Sequence, residues 1–153
     1  MSSPVNSEPE RHIRSLIEAW THALRAKDVT GRTAHYADDV LIFDVINPVQ
    51  HVGLDALKHR LAQWFSTFNG PIDSDVRDVQ IAADEQVAFC HSLQRFRGSL
   101  TNGGTLDMLV RYTTCLRKIG DRWVVTHEHA STPFDPATSL ALIATPASAA
   151  ERS

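Results

Sequence analysis

Near the N-terminus apolar residues recur at three- and four-residue spacing: Ile13, Leu16, Ile17, Trp20 and Leu24. That period predicts a helix with one buried stripe, running to about Lys27, with Arg11, Glu18 and Arg25 on its opposite face. Ser7-Glu8-Pro9-Glu10 supplies the start as a capping box: serine at the N-cap, proline in the first turn, a carboxylate three residues on. A short second helix is expected over residues 30–35. After "YADD" the stretch "VLIFDVI" is β-branched and aromatic, hence strand-like, and Asn47-Pro48 turns it. Gly53 then opens another amphipathic helix, with Leu54, Leu57, Leu61, Trp64, Phe65 and Phe68 on one side, and Asn69-Gly70-Pro71 stops it.

The remainder reads as sheet. Segments 75–83, 86–98, 105–119 and 122–132 are separated by Asp84-Glu85, Asn102-Gly103-Gly104 and Gly120-Asp121, connections short enough to make antiparallel neighbours. Helices first and long antiparallel strands after define an α+β fold. The expected form is a cone: a strongly curved antiparallel sheet with the N-terminal helices packed on its concave face, enclosing a pocket. Residues 1–7 are expected to be a flexible head, 8–135 the domain, and 136–153 an Ala-, Ser- and Pro-rich tail in which "ATSLALIAT" could form a short helix before a disordered end.

Strand alternation decides which side chains enter the concavity. On the second long strand Val87, Phe89, His91, Leu93 and Arg95 share a face, and it is the bulkier one. Asp107, Leu109, Arg111, Thr113 and Cys115 share one on the next, and Trp123, Val125, His127 and His129 on the last. These faces are expected to point inward. Ala88, Cys90, Ser92, Tyr112 and Thr114 then form an outer face suited to a homodimer contact. Glu128 points away from the pocket unless a bulge intervenes.

Composition narrows the chemistry. The 153 residues, 42% hydrophobic, suit one domain with one substantial core. A net charge of −3, from 15 Lys and Arg against 18 Asp and Glu, offers no basic field for nucleic acid. Cys90 and Cys115 form neither a C-x-x-C pair nor a disulfide framework, as expected for reduced thiols in the cytoplasm. "MSSPVNSEPE" lacks the pattern of a signal peptide, and no apolar run approaches the ~18 residues needed to span a bilayer. Neither G-x-G-x-x-G nor a P-loop is present, so no cofactor is expected.

The stretches "EAWTHALRAKD", "HYADDVLIFDV", "VGLDALKHRLAQWF" and "GDRWVVTHEHASTPFD" resemble the SnoaL-like, nuclear-transport-factor-2-like superfamily of α+β cones. That superfamily includes ketosteroid isomerases, polyketide cyclases and dehydratases. The resemblance spans roughly residues 8–135, and the W-x-x-x-H-x-H-x-S-x-P block is similar to a subgroup that includes a kinase association domain. It implies that Asp44 stands where the isomerases keep a proton-shuttling aspartate, the best catalytic candidate. It also implies that Trp20 and Thr114 replace their two oxyanion donors, and that Arg111 stands at a pocket arginine suited to a carboxylate or phosphate. A dimer is usual for the family.

Each candidate also has a plain structural role. Asp44 could cap a strand end, and His91 could be a satisfied core histidine. If the two meet, an Asp-His dyad would supply a base near neutral pH. His127 and His129 could join Asp44 or His91 as metal ligands, but H-x-H alone is a weak signal and no metal is expected. They fit better as ligand-orienting groups beside Trp20, Trp64, Phe89 and Arg111. Asp107 and Arg111 share a face yet sit ~13 Å apart along it, so they need not pair. Two functions follow: a cofactor-independent acid-base enzyme, of isomerase, cyclase or dehydratase type, acting on a hydrophobic carbonyl compound; or a non-catalytic ligand-binding or dimerisation module.

Overall fold

The computed structural model describes residues 6–143. Helix α1 spans Glu8–Arg25, and the Ser7 side chain accepts from the Glu10 N–H, the expected cap. Its buried stripe is Ile13, Leu16, Trp20, Ala23 and Leu24. Lys27, with φ 56°, turns the chain out of the helix, and Asp28 caps the short α2, Val29–Arg32. Strands β1 (Tyr36–Phe43) and β2 (His51–Val52) follow, then α3 (Leu54–Ser66). The long strands are β3 (Asp73–Ala83), β4 (Val87–Ser99), β5 (Thr105–Ile119) and β6 (Arg122–Ser131).

These strands form one six-stranded sheet in the order β2-β1-β6-β5-β4-β3. Every pairing is antiparallel except β1 with β6, which is parallel. The helices cover one face. Residues Ile13, Leu16 and Trp20 pack with Ala88, Cys90, Leu116, Trp123 and Val125, while Phe65, Phe68, Phe96, Met108 and Val110 form a second cluster towards the other end. Burying each large side chain of this kind contributes roughly 1.5–3 kcal/mol.

Contrary to the expected faces, the even positions of β4 and β5 point inward, and the odd positions outward. Ala88, Cys90 and Phe96, and Met108, Val110, Thr114 and Leu116, are buried, whereas Phe89 is 50% exposed. Room explains it. Bulky α1 residues already fill the space above the Ala88–Ser92 end of β4, so that end offers them only small side chains. On β6 the alternation changes phase. Leu116 pairs with Val125 but Cys115 with His127, so Thr126 is an extra residue. This bulge keeps Trp123 and Val125 inward and also turns Glu128 and Ala130 inward, leaving His127 and His129 on the other face. A second bulge in β3, where Asp78 has φ 56°, shifts the inward set from Ser74 and Val76 to Val79 and Ile81.

The tail also departs from expectation. Residues 136–139 form the turn of a small hairpin, not a helix, between β7 (Phe134–Asp135) and β8 (Leu140–Ala141). The Asp135 carboxylate accepts from Ala137 N–H, an Asx turn that holds the bend. Leu109 N–H then donates to the Ile143 carbonyl at 3.2 Å, bringing the segment back to β5. Residues 1–5 of the expected head and the last ten tail positions (144–153) lie outside the described residues.

Candidate functional site

Between α3, β1 and the inward faces of β4, β5 and β6 lies a cavity of about 420 Å³, within the range of small-ligand sites. Its walls are apolar. Trp64 meets Phe65, Phe68 and Phe96 at ring-centroid distances of 5.2–5.7 Å, and Leu57, Leu61, Met108, Val110 and Ile143 complete them.

Polar groups enter at two places. At the end of β1, Asp44 Oδ2 accepts from Arg60 Nε of α3 at 2.9 Å and Oδ1 accepts from Val45 N–H at 2.7 Å. His51 on β2 places Nε2 4.0 Å from Oδ2; that nitrogen is buried and has no hydrogen-bond partner among the described residues. Asp44 is thus a cavity carboxylate oriented by two donors, with its side chain still 17% exposed.

The second cluster is buried. Arg32 Nη1 donates to Tyr36 Oη at 2.6 Å, Tyr36 donates to Glu128 Oε2 at 2.7 Å, and Thr114 Oγ1 donates to the same oxygen at 3.1 Å. Arg32 Nη2 lies 3.6 Å from Glu128 Oε1, and its guanidinium sits over the Trp20 and Tyr36 rings at 5.8 and 5.4 Å. Burial opposes the Arg32 charge, but Tyr36 and Glu128 outweigh it and hold the guanidinium above its ordinary range. Burial likewise lifts the Tyr36 phenol well above 10.0.

Tyr112 lies between the clusters, within electrostatic reach of Glu128, Arg32, Asp44 and Arg60. It lines the cavity, and among the described residues its hydroxyl has no hydrogen-bond partner. Burial pushes its pKa up, keeping the hydroxyl protonated as a donor. The cavity therefore holds two carboxylates, each matched by an arginine, and one free phenol. Its charge is balanced, which suits a neutral ligand.

Of the expected site residues, the structure brings Asp44 and Trp64 to this cavity. Trp20 instead sits in the core, its Nε1 donating to the Ala34 carbonyl at 3.1 Å. His91 and Phe89 are exposed on the outer face, so Asp44 and His91 make no dyad. Arg111 is also on the outer face and donates to Ser131 Oγ at 3.0 Å, while Asp107 pairs with Arg95 in a two-point contact. His127 and His129 flank Phe43 edge-on at 4.7 and 5.4 Å, and His127 Nδ1 lies 2.7 Å from the Leu41 carbonyl. Among the described residues no group of three His, Cys, Asp or Glu could hold a metal.

Strand alternation misplaced Tyr112 and Glu128, and no sequence pattern brought Tyr36 or the helix residues Arg32 and Arg60 to the cavity. The readable signal was the run of small residues Ala88, Cys90 and Ser92, which cannot be an exposed face when bulky helix residues need complementary partners. No helix among the described residues is long and apolar enough to cross a membrane.

The sequence profile of the SnoaL-like domain family matches residues 13–135. A solved nuclear-transport-factor-2-like protein of unknown function from Pseudomonas putida is 32% identical, covers 90% of this chain and 96% of its own, and superposes with a TM-score of 0.81. A ketosteroid isomerase-like protein from Erwinia carotovora atroseptica is 20% identical, with coverages of 82% and 96% and a TM-score of 0.70. A nuclear-transport-factor-2-like superfamily protein from Salmonella enterica is 14% identical, with coverages of 82% and 92% and a TM-score of 0.72. No curated protein matches the sequence.

Proposed function

Since the chain belongs to the SnoaL-like domain family, we propose that its cavity binds a neutral, largely apolar metabolite carrying a carbonyl group and moves a proton on it without a cofactor. The observation that carries this reading is the meeting of Asp44 with an apolar chamber of about 420 Å³ and the unpartnered Tyr112 hydroxyl. Asp44 takes a proton from the carbon beside the carbonyl, and Tyr112 donates a hydrogen bond to the oxygen as charge develops on it. Arg60 fixes the direction of the carboxylate, and the wall around Trp64 holds the hydrocarbon. Enolising isomerisation, aldol-type cyclisation and β-elimination of water beside a carbonyl each begin with this step. The Erwinia neighbour named as ketosteroid isomerase-like is compatible with that reading through its fold.

A non-catalytic module is favoured by one observation: the Arg60 ion pair that orients Asp44 would equally serve to neutralise it in a purely binding pocket. For the assembly we propose a homodimer through the outer sheet face, now composed of the odd positions Phe89, Leu93, Leu109 and Arg111. Asp44→Asn distinguishes enzyme from module. An enzyme loses turnover by orders of magnitude with unchanged unfolding; a module loses affinity at most.

A further inference from the structure

Behind the cavity, on the far side of the Arg32–Glu128 pair, lies a second and much smaller chamber of about 20 Å³. Its walls are mixed: Ile17, Trp20 and Leu24 of α1 give an apolar side, and Thr21 from α1, Ser74 from β3, Ser92 and Gln94 from β4, Thr114 from β5 and Glu128 from β6 supply polar groups. A water needs ~10–15 Å³ of such space and two to four polar partners. Ser74 is 1% exposed, and its Oγ is buried with no hydrogen-bond partner among the described residues, an unsatisfied polar group at this spot. The chamber is bordered by Val79, in the β3 bulge, and by exposed His91.

We propose that this chamber is a binding site for a single water molecule, and that the water connects the Glu128–Tyr36 pair to solvent from behind α1. Glu128 belongs to both chambers, and Tyr36 lines the large one. Thr114 links the two, since its hydroxyl donates to Glu128 Oε2 and also borders the small chamber. The proton balance is simple. The Tyr36 proton passes to Glu128 Oε2; the protonated carboxyl then donates to Thr114 Oγ1, whose own hydrogen turns from Glu128 to the water, and a solvent proton returns by the same relay in reverse. Tyr36 can therefore exchange its proton while a ligand fills the large cavity. The water site stands whether or not that cavity performs turnover.

The test is exchange of the Tyr36 hydroxyl proton with water, followed by NMR magnetisation transfer on the full-length protein, together with a crystal structure at atomic resolution. Ser74→Val, which fills the small chamber with carbon, slows exchange about tenfold or more by removing the bridging water. Ala130→Leu, which narrows the large cavity instead, leaves exchange unchanged. The crystal shows an ordered water within hydrogen-bond distance of Ser74 Oγ. Should Ser74→Val fail to fold, Gln94→Leu fills the chamber from β4 and carries the same expectation. A dry chamber, or exchange that Ala130→Leu slows and the chamber-filling variant does not, overturns the proposal.

Discussion

Replacing Glu128 with leucine removes the one carboxylate facing Arg32 in the interior. Arg32 is 7% exposed and Glu128 6%, so the variant leaves a guanidinium buried without its counter-charge, a change that costs about 3–5 kcal/mol. Their direct separation is 3.6 Å, and the coupling also runs through Tyr36, which accepts from Arg32 at 2.6 Å and donates to Glu128 at 2.7 Å. Tyr36→Phe should accordingly cost roughly 1.5–3 kcal/mol, the range for hydrogen bonds to charged groups. In urea denaturation Glu128→Leu should lower the midpoint without changing the slope. In a thermal scan the loss corresponds to roughly 6–20 °C at ~2–4 °C per kcal/mol. The double variant Arg32→Leu/Glu128→Leu should recover most of the loss, because an apolar replacement of both partners leaves no buried charge. A single Glu128→Leu cost below ~1 kcal/mol, or a double-variant cost equal to the sum of the singles, would refute the coupling.

Two further outcomes follow from other parts of the core. Burial and the nearby Glu128 raise the Cys90 thiol from its ordinary 9.0 to about 11. Its contribution to stability is therefore complete below pH 9 and lost as pH rises to about 11, so the unfolding free energy should fall over that window; Cys90→Ala should flatten the fall. A Cβ on Gly98 would lie 2.7 Å from Phe68 Cδ1, so Gly98→Ala should destabilise by about 1–3 kcal/mol in urea titration, and Phe68→Leu in the same chain should relieve part of it.

Much of the fold was legible because its elements carry local signals. Ser7 caps α1 as its spacing with Glu10 required, and β5 occupies the same residues, Thr105–Ile119, that lie between its two turns. β2 escaped notice because two residues carry no periodicity, and the parallel β1–β6 pairing because it depends on tertiary packing. The candidate site was much less legible, for one physical reason: alternation divides a strand into two faces without saying which is inside. Phe89 and His91 belong to the bulkier set, yet α1 leaves room only for Ala88, Cys90 and Ser92. Thr126 then changes the phase of β6 by one residue and exchanges Glu128 for His127 and His129. Asp44 was found through family resemblance, whereas Arg60 and Tyr112 needed the folded geometry to join it at the cavity.

The most direct measurement is native mass spectrometry of the purified protein after incubation with a metabolite extract, run beside Asp44→Asn at equal folded concentration. The expected result is a neutral carbonyl compound that the wild type converts and the variant retains unconverted. Conversion by both proteins alike, or no compound retained by either, would contradict it.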